Sequence, residues 1–315
     1  MLSVCLLERD IVSWVYPEQS NDLRDLVLAL HGAVGKSEPF FVGKLADAWF
    51  YVRRSDGFAL AIASSDFNPA KYDALLALQC RRYAASNDVV GAVLQPFLQV
   101  FLSASVGDEW RESSFDYREA LLAGSLRRLV DRFGADDVVR LWAAMLCKRR
   151  ILVVGTGDCA ELFGLVRSLP LLSFHRQNFG VLRPLVLLDN ATQLAELKQL
   201  GAAYVAGVLN APTSPALANA LADVVVDVGA RRVRGGDAEL SGFEQALSSM
   251  LSEMASDTQQ DDAAMVKALM VKTKALIARI ASISSAGGRE AIRTSEALPD
   301  DLKTLCVAIA QAENV

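Results

Sequence analysis

The pattern with the clearest chemical potential is Gly155-Thr156-Gly157-Asp158-Cys159-Ala160, which follows a β-branched apolar run at Ile151–Val154 and opens a helical pattern. It fits the G-x-G-x-x-G/A fingerprint, in which glycines let backbone amides approach a pyrophosphate that the helix N-terminus then attracts. The adenosyl loop of a methyltransferase can look the same. Two features argue against a ligand. Asp158 sets a carboxylate where a phosphate needs bare amides, and no acidic residue follows about twenty positions on to hold a ribose, Asp189 lying about thirty on. A tight strand-to-helix turn needs glycine with or without a ligand. Gly155, Gly157 and Ala160 therefore read as a structural turn that imitates a cofactor site, with a nucleotide- or S-adenosylmethionine-binding enzyme as the rival reading.

Other reactive side chains are sparse. Only two histidines occur, 144 positions apart, so a zinc site is not expected. His175, in Phe174-His175-Arg176-Gln177-Asn178-Phe179, has no nucleophile or orienting acid beside it and reads as a structural hydrogen-bonder. His31 follows a helix end, where the dipole favours a cation. The five cysteines, at 5, 80, 147, 159 and 306, are odd in number and form no C-x-x-C pair, which points away from a disulfide framework and toward a reducing, cytosolic setting. Neither a G-x-S-x-G elbow nor a G-x-x-x-x-G-K-[ST] loop is present. No catalytic residue, metal or cofactor is expected. Four short basic clusters, Arg81-Arg82, Arg127-Arg128, Lys148-Arg149-Arg150 and Arg231-Arg232-Val233-Arg234, read as solvated surface; the last could also meet an acidic partner or an anionic headgroup.

The elements that would position these residues need a large core. The chain has 315 residues, 52% of them apolar, and a net charge of −5, which excludes a disordered chain and disfavours nucleic acid as a partner. Residues 89–107 carry no charge, but Gln95, Pro96, Gln99, Ser103 and Ser105 interrupt the run, so it reads as a buried helix of a globular lobe rather than a membrane span. The N-terminus has no basic region and reads as a first strand, not a signal peptide.

Residues 2–8 and 11–16 form a hairpin pattern across Arg9-Asp10. A helix over 21–30 follows, with Asn21 as its cap and Gly32 as its stop. Strands come next over 39–45, 48–53 and 58–63, then helices from Pro69 and over 89–103. This order describes an α+β lobe built on an antiparallel meander, residues 1–106. A polar aperiodic stretch, 105–114, marks the lobe boundary. Helices over 117–133 and 137–148 lead into strands at 151–154, 185–188, 204–209 and 224–228, spaced by helices over 158–169, 191–200 and 215–222. That alternation implies a doubly wound, parallel α/β lobe, residues 115–240. Residues 241–315 read as a helical tail packed on it, with an apolar stripe from Val266 to Ile283 and a last helix through Leu302, Leu305 and Ile309.

Several stretches then resemble one family. These are Trp14–Tyr16 with Pro17, Asp66-Phe67-Asn68-Pro69-x-Lys71-Tyr72, Cys80-Arg81-x-Tyr83, Leu122-Ala123-Gly124-Ser125, Lys148-Arg149-Arg150-Ile151, Leu169-Pro170 with His175-Arg176-Gln177, and Tyr204-Val205-Ala206-Gly207. In order and spacing they are similar to the small stand-alone DENN proteins, over nearly the whole chain and less so after about Val228. The strand and helix order of the first lobe is also that of the longin and roadblock modules, which hold small GTPases. The resemblance implies a bilobal DENN fold, a longin-like lobe beside an α/β lobe with a helical tail. It implies an exchange factor or regulator for a Rab GTPase on late endosomes, acting in the groove between the lobes and at most peripherally on membrane. The alternative it carries is a non-catalytic adaptor for coiled-coil subunits of the Commander recycling complex. Candidate partner contacts are Trp14, Tyr16 and Pro17 on the longin edge, where Trp and Tyr suit an interface, and Arg176 and Gln177 on the α/β lobe.

Overall fold

The computed structural model describes residues 2–18, 21–35, 38–201, 203–209, 215–235, 240–257 and 259–315. Arg9 and Asp10 both have positive φ, 50° and 60°, as a two-residue I′ turn demands. They join β1 (Ser3–Glu8) to β2 (Ile11–Tyr16), with Glu8 opposite Ile11 and Val4 opposite Tyr16. After α1 (Asn21–Ala33) come β3 (Phe40–Leu45), β4 (Ala48–Ser55) and β5 (Phe58–Ser64). The five strands form one antiparallel sheet in the order β2-β1-β5-β4-β3.

Helix α1 runs through Gly32, so that glycine does not stop it, and the side chain of Asn21 lies outside the described residues. The helix end is closed by Arg54, whose guanidinium donates to the carbonyls of His31, Val34 (2.9 Å) and Gly35. Burial and the charge of Arg54 push the His31 pKa down, and His31 Nδ1 accepts from Arg54 Nε at 3.3 Å. The cation at this helix end is therefore Arg54, and His31 is the neutral acceptor beside it.

Helix α2 (Pro69–Ser86) begins at the expected proline, and Asn68 caps it by accepting from the Lys71 amide at 3.2 Å. The uncharged stretch that follows is not a buried helix. A π-helical turn, Val90–Leu94, leads into α3 (Gln95–Ser103), which buries Ala92, Val93, Pro96 and Phe97 but leaves Phe101 57% and Leu102 85% exposed. Pro96 lies in the first turn of α3, where its missing N–H breaks little. Among the described residues no helix is long and apolar enough to cross a membrane. The polar stretch at 105–114 forms a small hairpin, β6 (Ser105–Val106) with β7 (Trp110–Arg111). It packs on α2, with Trp110 Nε1 donating to the Lys71 carbonyl at 3.3 Å.

The helical pattern at 117–133 is broken into α4 (Tyr117–Leu122) and α5 (Leu126–Phe133). Ser125 caps α5 by accepting from the Arg128 amide at 3.0 Å. Then come α6 (Ala135–Leu146), β8 (Ile151–Val154), α7 (Cys159–Ser168), β9 (Leu182–Arg183), α8 (Ala191–Leu200), β10 (Val205–Val208), α9 (Pro215–Leu221), β11 (Val224–Asp227) and β12 (Arg232–Arg234). A Cβ on Gly124 would sit 2.9 Å from Ser168 Cα, so the break admits the end of α7. The sheet order is β12-β11-β8-β10-β9, parallel except for β12. Two expectations are corrected here. The second strand of this lobe is Leu182–Arg183 rather than 185–188, because Pro184 has no N–H to continue the ladder, although the Val186 amide still reaches the Gly207 carbonyl at 2.8 Å. The basic run at 231–234 is an antiparallel edge strand, with Arg234 paired to Asp227 at 2.9 Å.

The two faces of this sheet feed separate cores. Leu152, Val154, Tyr204, Ala206 and Val208 pack with Leu197, Ala218 and Ala222, whereas Ile151, Val153 and Val205 join the main core. The tail, α10 (Gly242–Ser256), α11 (Asp262–Ser284), α12 (Gly288–Thr294) and α13 (Asp300–Glu313), closes the main-core face. Buried Trp142 donates to Thr273 at 2.9 Å. Arg127 is no solvated cation: it closes α10 through the carbonyls of Met254, Ala255, Asp257 (2.9 Å) and Gln260 (2.6 Å).

Candidate partner-binding surfaces

The first sheet meets the second lobe along its β3 edge. Lys44 Nζ, buried, donates to the Gly180 carbonyl at 2.7 Å. The Ala46 amide donates to Glu196 at 3.0 Å, and the same carboxylate holds Arg183 at 2.8 and 2.7 Å. Burial and the Arg183 charge push the Lys44 ammonium down to about 8. Beside this polar seam Phe67, 4% exposed, lies 4.6 Å from Trp49 and 5.7 Å from Phe179, centroid to centroid. The Arg167 guanidinium stands 5.9 Å from the Phe67 ring and 5.3 Å from Phe163.

What fixes Phe67 is the Asp66–Tyr72 motif. The Asp66 carboxylate accepts from Lys71 Nζ at 2.6 Å and from the hydroxyls of Ser64 and Tyr72, while its carbonyl accepts from Tyr51 at 2.8 Å. Burial pushes the Asp66 carboxyl up, but the hydrogen bonds from Lys71, Ser64 and Tyr72 outweigh it and hold the group below its usual value. Lys71 also bonds Glu112 at 2.9 Å, tying the hairpin of β6 and β7 to the same network. One of the stretches that carry the resemblance thus builds the loop that holds the aromatic key between the lobes.

The expected contact residues do not share one groove. Trp14 and Tyr16 lie on β2, with Pro17 just beyond it, at the opposite edge of the sheet. Four strand spacings, roughly 19 Å, separate β2 from the edge that meets the second lobe. Trp14 stacks on Tyr16 at 6.5 Å, Tyr16 meets Phe97 edge-on at 6.3 Å, and Phe97 meets Phe101 at 5.2 Å. This ladder continues the β2 edge onto α3, whose outer end, Phe101 and Leu102, is exposed and not buried as the uncharged run suggests. On the second lobe Arg176 is committed internally. It donates to Glu313 from Nε at 2.9 Å and from Nη2, and to the carbonyls of Met145 and Leu146, each at 2.7 Å. His175 joins Glu313 at 3.2 Å, so it is a structural hydrogen-bonder. Gln177 is exposed, two residues from Phe179 at the lobe junction.

At the glycine turn one of the first free amides of α7 already has an acceptor. Asp158 caps the helix by accepting from the Glu161 amide at 2.8 Å. Gly157 has φ of 108°, a conformation only glycine adopts easily, whereas a Cβ on Gly155 would meet Leu162 and the Val208 carbonyl at 3.4 Å, an ordinary contact. Gly157 has a structural reason.

A longin-like antiparallel lobe docked by one edge onto a doubly wound α/β lobe with a helical tail is the arrangement expected of a DENN fold. No family model matches the chain. It is similar over nearly its whole length to curated proteins named DENN domain-containing protein 10. It is 26% identical to the one from Dictyostelium discoideum, across 99% of this chain and 97% of that protein. It is 27% identical to those from Homo sapiens, across 95% of this chain and 90% of that one, and Danio rerio, across 90% and 87%.

Proposed function

We propose that the chain is a DENN-type regulator of a Rab GTPase on late endosomes, acting as a guanine nucleotide exchange factor by contact in the groove flanking the lobe junction. The observation that carries this reading is the similarity to DENN domain-containing protein 10 along almost the full chain, both lobes and tail included. Exchange of this kind asks for no bond-making side chain. It asks for two rigid walls that fit the open, nucleotide-free GTPase better than the loaded one. Equal affinity for both would shift nothing, and moving the equilibrium from 1:99 to 99:1 takes a preference of about 10⁴-fold. The seam of Lys44, Glu196 and Phe67 supplies the rigidity. Release of fluorescent GDP from a panel of Rab proteins is the test: acceleration for at least one Rab is expected, and intrinsic release for all of them overturns the proposal.

The aromatic ladder supports a second reading, a non-catalytic adaptor that binds coiled-coil subunits of the Commander complex. Phe101 and Leu102 are exposed on the far edge of the first lobe, away from the lobe junction, so an apolar helical partner could dock there while the groove stays open. Under this reading Leu102→Asp abolishes co-precipitation of the coiled-coil subunits and leaves nucleotide release unchanged.

A further inference from the structure

A cavity of about 300 Å³ opens at the N-terminal ends of β8 and β10, the end of the parallel sheet opposite the glycine turn. That volume is at the small end of the range for small-molecule sites. Its floor is apolar, made by Met145, Val181 and Val205. Its rim carries Lys148, Arg149 and Arg176, with Ser173 and Asn178, and no carboxylate lines it.

The charges do not cancel. Arg176 is balanced by Glu313 and Arg150 by Asp223, the latter at 2.7 Å. Burial pushes the His175 pKa down, the Arg176 charge adding to that against the pull of Glu313. Among the described residues Lys148 bonds only the Ala312 carbonyl, in the last turn of α13, and meets no carboxylate, which leaves two of its three N–H donors for a ligand. The Arg149 side chain is exposed and, among the described residues, makes no hydrogen bond or ion pair, although Asp223 is within its electrostatic reach. Two cations without a carboxylate hydrogen-bond partner among the described residues thus line one apolar-floored cavity, in a chain whose net charge is −5.

We propose that this cavity binds a phosphomonoester with a flat apolar body. A phosphate dianion matches the two cations, the planar Arg149 guanidinium can grip two phosphate oxygens at once, and the apolar body lies against Met145 and Val181. The site adjoins the lobe junction, because Asn178 and Val181 flank Phe179, which stacks on Phe67. The ligand is either a free small molecule or a phosphorylated tyrosine side chain, which share this chemistry.

Calorimetric titration of the full chain with phenyl phosphate, inorganic phosphate and a Gly-Gly-phosphotyrosine-Gly-Gly peptide tests the proposal. Phenyl phosphate or the peptide binds saturably with a dissociation constant of about 1 mM or tighter, and inorganic phosphate binds at least about tenfold more weakly because the floor goes unused. Tighter binding of phenyl phosphate identifies the free molecule, and tighter binding of the peptide identifies the side chain. Arg149→Glu weakens the tighter ligand by at least about tenfold and Arg149→Lys restores part of it, both with an unchanged thermal midpoint. Absence of saturable binding by either phosphomonoester, equal binding of inorganic phosphate, or binding indifferent to Arg149→Glu each overturns the proposal.

Discussion

Phe67→Ala is the most informative single change, because Phe67 faces both lobes at once. The side chain is 4% exposed and wedged between Trp49 of its own lobe and Phe179 of the other. Truncating a buried phenylalanine costs about 3–5 kcal/mol, transfer and cavity together. Each aromatic pair adds roughly 0.5–1.5 kcal/mol beyond area. The loop cannot easily collapse into the space, since the Asp66 network pins it from both sides. We therefore expect a loss near the middle of the range, about 4 kcal/mol. Urea unfolding followed by tryptophan fluorescence measures it directly, because Trp49 lies against the ring. The part that belongs to lobe docking comes from the double-mutant cycle with Phe179→Ala, where a coupling of about 0.5–1.5 kcal/mol is expected. A single-mutant loss below about 1 kcal/mol, or zero coupling to Phe179, would refute the argument that this contact locks the lobes.

Three further changes probe other parts of the molecule. The Glu313 carboxyl is pushed up by burial, but the hydrogen bonds from Arg176 and His175 outweigh this and hold it below its usual value. Its contribution is then complete above the unfolded pKa of about 4.3 and fades as pH falls through the lower folded value. Glu313→Gln should flatten that acid limb in urea midpoints measured across pH and cost about 1–3 kcal/mol at neutral pH; an unaltered limb would show that the carboxylate is not held as described. Arg54→Met removes the closure of α1 at a cost of about 1.5–3 kcal/mol. It should also raise the His31 pKa, read by NMR titration, since the Arg54 charge is one of the two causes that lower it. Asp158→Ala should cost about 1 kcal/mol as a lost helix cap. Saturable binding of S-adenosylmethionine or ATP at this turn in the wild type would contradict its structural role.

The backbone plan was largely legible because hydrophobic period reports it. Residues 11–16 are a short apolar run broken only by Ser13, Ile151–Val154 is continuously apolar, and the stripe from Val266 to Ile283 repeats every three or four positions. The failures share one physical origin: local pattern does not record who the partner is. An edge strand such as Arg232–Arg234 can be basic because one side of it faces water. The outer face of α3 looks buried in sequence because nothing in a run of neutral residues says which side is covered. Arg127 looks like a solvated cation in sequence because the carbonyls it closes lie 127 to 133 positions away along the chain. The candidate site was less legible still. Its aromatic residues could be named, but their separation across four strands is a property of sheet order, which no single segment carries.

The contact of Arg176 and Lys148 with the last turn of α13 bears on how the chain is made. Glu313 follows Arg176 by 137 residues and Ala312 follows Lys148 by 164. At about 5–20 residues per second, a ribosome needs roughly 7–27 s to reach Glu313 after Arg176 has been joined. Throughout that time the Arg176 guanidinium must be shielded by water or by the Met145 and Leu146 carbonyls alone. The second lobe should therefore stay loose, and open to chaperones or proteases, until the final helix leaves the exit tunnel.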